Sequence, residues 1–228
     1  MGRMVVTVRS DLRVHIVGGP GSGKSTIGAE LARRIGTRAL DLDDVALSEG
    51  AHSDRRPRRA LEARIREVEQ FSAGSTWVSG GTFLWWSHDL FERADVVIWL
   101  DPPWGVARRR IVSRHALEYA RDVLQARGLR ARLRALRHPH IRSLLSFFRW
   151  SKHYYTALDR QAVGNGPDDV QALTRTATAD YLLAYRNKVV RLPVPELKGV
   201  LAALANDRRG PVGMNASAFA CNAGSRRR

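Results

Sequence analysis

The sequence predicts an α/β fold, a five-stranded parallel sheet flanked by helices. Strand-like and helix-like patterns alternate through the first third of the chain, which implies strands joined by helical crossovers. Val96-Val97-Ile98-Trp99-Leu100 is a continuous apolar run between Asp95 and Asp101-Pro102-Pro103, as a parallel strand covered on both faces requires. A glycine cluster also falls between an early strand and the helix that follows it.

Taken in order, Leu12 to Val17 has a strand pattern that ends at the glycines. Thr26 to Ile35 places Ile27, Leu31 and Ile35 on one helix face. Arg38 to Asp41 is a short second strand. Pro57 to Phe71 is an Arg/Glu-rich helix with Leu61, Ile65 and Val68 along one side. Thr76 to Ser79 is a third strand, stopped by Gly80-Gly81, and residues 96–100 form the fourth. From Trp104 to residue 160 the pattern is helical, with an aromatic cluster at Phe147-Phe148-Arg149-Trp150. Asn165-Gly166-Pro167-Asp168-Asp169 is a turn leading into a helix. Lys188 to Pro193 is the fifth strand, and Pro195 to Leu204 the last helix. The Gly-, Ser-, Asn- and Arg-rich residues 206–228 lack periodicity and are expected to be disordered.

The composition narrows the function. At 228 residues and 44% hydrophobic, the chain is long enough to bury a substantial core. No apolar run approaches the roughly 18 residues of a membrane span, and the start has no signal-peptide apolar stretch. A single Cys221 has no partner for an internal disulfide, so a reducing cytoplasm is expected and a disulfide scaffold is excluded. The formal net charge is +16, and of 38 basic residues only Lys24, Lys152, Lys188 and Lys198 are lysines. Residues 104–160 hold 13 Arg and one Lys against three acids, a net of +11. This balance suits polyanions such as nucleotides or nucleic acid, or else reflects a genome that writes Arg at solvated faces.

Gly18-Gly19-Pro20-Gly21-Ser22-Gly23-Lys24-Ser25 matches G-x-x-x-x-G-K-[ST], with an apolar strand before it and a helix after it. Glycines let the backbone curl so that successive N–H groups point at phosphate oxygens, and the helix adds its positive end. Gly19 through Thr26 are therefore expected to cradle the phosphates of ATP. Lys24 would reach the β- and γ-phosphates, and the Ser25 hydroxyl would ligate Mg²⁺. Lys24 is the sole lysine among the first 151 residues, set where a bulkier guanidinium would not fit.

Asp41-Leu42-Asp43-Asp44 follows the second strand, at the sheet edge where ligands bind. Asp41 is a candidate magnesium partner and Asp43 a candidate general base. The competing role is a helix cap at Asp43 or Asp44. Arg110 and Arg114 lie four apart and share a helix face, able to clamp phosphates or stack on a base.

Together the GGPGSGKST loop, the LDLDD segment, the WVSGG strand end and VVIWLDPPWGVARRRIVSRH resemble the adenylate-kinase-like family of small P-loop kinases. The sequence is most similar to bacterial kinases labelled DNA topology modulation proteins, with shikimate kinases as relatives. The resemblance covers residues 12–115 and returns weakly at 187–204. It implies a P-loop NTPase fold of the nucleoside monophosphate kinase type, in which Arg110 stacks on adenine and Arg114 contacts phosphate. It also implies that Asp41 serves magnesium and Asp43 the phosphoryl acceptor. Where the nearest family ends its third strand in Asp-Gly-Asn, this chain has Gly80-Gly81-Thr82, which shifts the magnesium role to Asp41. The expected organisation is a P-loop core over 1–115, a helical basic lid or insertion over 116–185, a return to the core at 186–205, and a tail.

The function expected is transfer of the γ-phosphoryl group of ATP to a small acceptor, with Arg59, Arg64 and Arg66 available to pair with an acidic one. Its alternative is a nucleotide-gated nucleic-acid-binding protein. That alternative rests on Phe147, Phe148, Trp150, Tyr154 and Tyr155 interleaved with basic residues, which would instead form the core of a helical lid.

Overall fold

The apolar residues of the central strands alternate between two cores, one on each face of the sheet. Val97 and Trp99 join Val17, Leu42, Trp77, Leu90 and Phe91 on one face. Val96, Ile98 and Leu100 join Val14, Ile16, Ile27 and Leu31 on the other. Burial on both faces is what an all-parallel sheet requires, and it explains why residues 96–100 are apolar without interruption.

The computed structural model describes residues 11–47, 59–125, 140–158, 173–193 and 196–206. In chain order the elements are β1 (Arg13–Gly18), α1 (Lys24–Ile35), β2 (Ala39–Asp41) and α2 (Leu42–Ala46). Next come α3 (Leu61–Ser72), β3 (Trp77–Gly81), α4 (His88–Arg93) and β4 (Val96–Leu100). The chain continues through α5 (Trp104–Gln125), α6 (His140–Thr156), α7 (Arg175–Leu182), β5 (Val189–Leu192) and α8 (Leu197–Asn206). The five strands run parallel in the order β2-β3-β1-β4-β5. This is the five-stranded parallel sheet the sequence predicts.

Register brings the carboxyl ends of four strands together. Gly18 of β1 lies opposite Leu100 of β4, Val17 opposite Gly81 of β3, and Asp41 of β2 opposite Gly80. The glycine loop, the Asp41–Asp44 segment and the Gly80–Thr82 turn therefore emerge side by side, at the edge where parallel sheets bind ligands.

The structure corrects one boundary. Gly80 and Gly81 do not stop β3 but are its last two rungs. A Cβ at Gly81 would lie 2.5 Å from the Leu42 side chain, so the glycine is what lets α2 pack directly on the strand. Two short helices, α2 and α4, are not predicted by the sequence patterns. The Asn165–Asp169 turn and residues 207–228, Cys221 among them, lie outside the described residues. Among the described residues no helix is long and apolar enough to cross a membrane.

Beyond β4 the chain is tied back by charge. Asp101 is buried, and its two carboxylate oxygens accept from Arg175 of α7 at 2.6 and 2.7 Å and from Arg191 of β5 at 2.8 and 2.5 Å. Arg191 also lies over the Trp99 ring, 4.6 Å from its centroid. A buried carboxylate is tolerable when two guanidinium groups saturate its lone pairs.

Candidate functional site

The loop's shape follows from its glycines. Gly21 and Gly23 have φ of +70° and +98°, left-handed values that cost other residues energy, and Gly23 caps the start of α1. Ser22 is fully buried in the turn. Arg110 of α5 donates from Nη1 to the Ser22 carbonyl at 3.2 Å, and Thr82 donates from Oγ1 to the Gly18 carbonyl at 3.1 Å. Side chains from α5 and from the turn after β3 thus engage carbonyls in the loop and at the strand end that leads into it.

Lys24 Nζ donates to the Gly19 carbonyl at 3.2 Å, folding the ammonium back over the loop. Burial pushes its pKa down, partly offset by Asp43 and Asp41, while Arg114 adds to the lowering. Lys24 therefore sits among the two acids and the arginine singled out in the sequence. Desolvation pushes the Asp43 carboxyl above the usual carboxylate range, opposed by Lys24 and raised further by Asp41 and Asp44. A Cβ at Gly80 would lie 3.8 Å from the Lys24 Cβ, so the end of β3 faces the lysine without an acid of its own.

Asp41 does two things with its two oxygens. Oδ2 accepts from the Ser25 hydroxyl at 2.7 Å, and Oδ1 accepts from the Asp43 backbone N–H at 3.0 Å. The cap of α2 is therefore Asp41, and not Asp43 or Asp44. That leaves the Asp43 side chain uncommitted to the helix terminus: the residue as a whole is exposed, and its carboxyl is the part turned toward Lys24 and partly desolvated. One carboxylate and one hydroxyl beside a phosphate cradle suit Mg²⁺, which takes few protein ligands and completes its shell with phosphate and water. Among the described residues no group of three or more His, Cys, Asp or Glu gathers to hold a metal ion by itself.

Arg110 and Arg114 do share the loop-facing side of α5. Arg110 meets the loop itself rather than standing clear for a base. Arg114 is exposed, 3.7 Å from Glu118 and 5.9 Å from the Phe147 ring centroid. Of the three arginines expected near an acceptor, Arg59 is engaged by Glu67 and the Val45 carbonyl, and Arg66 by the Glu62 carbonyl. Arg64 alone is buried, its guanidinium 5.3 Å from the Trp86 ring centroid.

Sequence reasoning missed the aromatic wall behind the loop. Tyr154 and Tyr155 of α6 are buried against Gly19 and Pro20, where a Cβ at Gly19 would lie 2.2 Å from the Tyr154 ring. Two of the five interleaved aromatics are thereby committed to core, while Trp150 is exposed. The adjacent Tyr-Tyr pair, at the end of the amphipathic run and opposite a Gly-Gly step, was the available signal.

No family model matches the chain. A shikimate kinase from Corynebacterium glutamicum is 33% identical over 121 residues, a match that spans 50% of this chain and 69% of that enzyme. A cytidylate kinase from Halobacterium salinarum is 32% identical over 123 residues, covering 44% of this chain and 57% of the relative. Among solved structures, a gluconokinase from Sinorhizobium meliloti overlays with a TM-score of 0.42 at 15% identity, over 88% of this chain and 95% of that one.

Proposed function

Because the chain belongs to the family of small P-loop kinases in which the shikimate kinases fall, we propose that it transfers the γ-phosphoryl group of ATP to a small hydroxyl-bearing acceptor. The observation that carries the proposal is the placement of Lys24, the Ser25–Asp41 pair and Asp43 together at the carboxyl ends of β1, β2 and β3. A binding module needs the first of these groups; phosphoryl transfer uses all of them.

In the proposed reaction the loop N–H groups and Lys24 hold the β- and γ-phosphates. Ser25 and Asp41 would hold Mg²⁺, which when bound would neutralise charge that builds on the phosphate oxygens. The acceptor oxygen attacks the γ-phosphorus in line as the bond to the β–γ bridging oxygen breaks, and ADP leaves with that oxygen. Asp43 takes the acceptor's hydroxyl proton. A carboxylate lifted above its ordinary pKa is a better base than a free one, and Lys24 opposes the rise. Arg114, exposed and long enough to swing inward, meets charge that develops in the transition state. The acceptor lies between α2 and α3, where Arg64 is packed on Trp86.

ATP consumption measured against a panel of hydroxy acids, sugars and nucleoside monophosphates tests the proposal. One acceptor class should stimulate consumption, and Lys24→Ala should abolish it together with most of the ATP affinity. ATP binding with no stimulation by any acceptor would defeat the kinase proposal.

A further inference from the structure

The glycine loop contains a peptide that can face either of two ways. Ser22 N–H donates to the Gly19 carbonyl at 3.2 Å, closing a four-residue turn with Pro20 second and Gly21 third. With φ of +70° at Gly21 this is a type II turn. Types I and II differ by a half-rotation of the central peptide, here the Pro20 carbonyl and the Gly21 N–H. The two groups belong to one trans peptide and point in opposite directions. Glycine occupies both signs of φ readily, so Gly21 does not fix the choice by itself.

The choice is made from α6. Tyr155 Oη donates to the Pro20 carbonyl at 2.9 Å in a buried hydrogen bond. Burial raises the phenol's pKa, so it stays protonated and serves as donor. The approach is close on both sides: the Tyr154 ring occupies the space a Cβ at Gly19 would need, and a Cβ at Gly21 would lie 2.7 Å from the Ala107 carbonyl of α5. Tyr155 itself is only 9% exposed and packs on Trp104, with ring centroids 5.5 Å apart.

We propose that Tyr155 is a positioning residue for phosphate binding: by holding the Pro20 carbonyl toward α6, its hydroxyl keeps the Gly21 N–H turned the other way, toward the phosphates. Pro20 has no N–H of its own, so of the turn's two central residues only Gly21 offers a donor. The same logic extends to Arg110, whose bond to the Ser22 carbonyl orients the Gly23 N–H. In this arrangement the basic helices α5 and α6 form the back wall of the phosphate cradle, a role that the expected lid did not include.

The inference rests on the nucleotide-binding reading of the loop, and inorganic tripolyphosphate probes that loop without any acceptor. Titration calorimetry on the full chain would compare the wild type, Tyr155→Phe and Thr178→Val. The first variant loses only the hydroxyl on Pro20. The second removes a buried hydroxyl from the same cluster, the one that contacts Tyr154 at 3.2 Å and the Thr174 carbonyl, without touching the loop. For Tyr155→Phe the dissociation constants of tripolyphosphate and ATP should both rise by the same factor, about two- to tenfold for one lost hydrogen bond. Thr178→Val should bind both like the wild type even where its melting temperature falls. Unchanged tripolyphosphate affinity in Tyr155→Phe, equal weakening in both variants, or no wild-type binding of tripolyphosphate would each overturn the proposal. Absence of turnover with every acceptor would count against the kinase proposal and leave this one standing.

Discussion

Replacing Asp43 by asparagine should move three measured quantities in directions that no purely structural role would produce together. The amide keeps the size of the carboxylate but cannot take a proton, so phosphoryl transfer should fall by about 10²- to 10⁴-fold, the range for loss of a general base. That is about 3 to 5 kcal/mol of transition-state stabilisation. ATP affinity should hold or improve, because a negative charge beside Lys24 is removed from the neighbourhood of the phosphates. Stability should change with a sign fixed by the pKa. Desolvation raises the Asp43 carboxyl in the folded protein, so the folded state favours its protonated form. The resulting stability is fully present below the ordinary carboxylate pKa, near 4, and is lost as pH rises through the folded value. Wherever Asp43 is ionised in the folded protein its desolvation works against stability, so Asp43→Asn should melt no lower than the wild type, any gap closing as pH approaches 4. Single-turnover rates with an acceptor found by the consumption screen, ATP titrations and melts at pH 7 and pH 4 supply the three readings. Wild-type turnover in the variant would refute the assignment of the base, and a lower melting temperature at pH 7 would refute the account of its environment.

Under the proposed mechanism Arg114→Ala should lower turnover more than ATP affinity, measured as kcat against KM, because the guanidinium would meet charge that appears only in the transition state. Burial brings the His15 ring, hydrogen-bonded to Ser79, down to a pKa of about 3, so folding favours its neutral form. Stability held above about pH 6.5 should then drain as pH falls, by about 2 kcal/mol at pH 5, and the pH slope of urea unfolding should flatten in His15→Asn. Gly81→Ala should cost about 1 to 3 kcal/mol by thermal melt, since its methyl would collide with the Leu42 side chain.

What the sequence disclosed and what it withheld divide along a physical line. The glycine loop and β4 were legible because each is specified within a few consecutive residues: one by backbone conformations only glycine takes easily, the other by two-faced burial. The pairing of Asp41 with Ser25 was half legible. The residue types were evident, but only the fold shows that one oxygen caps α2 while the other meets the hydroxyl. Gly80 and Gly81 were read as a stop because glycine weakens isolated strands. Here the close approach of Leu42 demands one of them, and neighbouring strands supply the ladder. Asp101 with Arg175 and Arg191 was not legible at all. Its partners lie 74 and 90 residues away, and among 34 arginines no local pattern distinguishes them. Tyr154 and Tyr155 read as lid core or nucleic-acid contacts because helical periodicity says which face is apolar but not what that face meets.

The Asp101 cluster also bears on the order in which the molecule is made. As the chain leaves the ribosome, the glycine loop, Asp41, Asp43 and all of β4 emerge long before Arg175 and Arg191. Until then Asp101, destined for a site with 2% exposure, has neither guanidinium to receive it. Burying a carboxylate without its partners is strongly unfavourable, so the end of β4, and the loop that lies against it in register, can settle only after residue 191 has been synthesised. The glycine loop, written near the start of the sequence, thus waits for residues made near its end, and its surroundings are completed from the far end of the polypeptide.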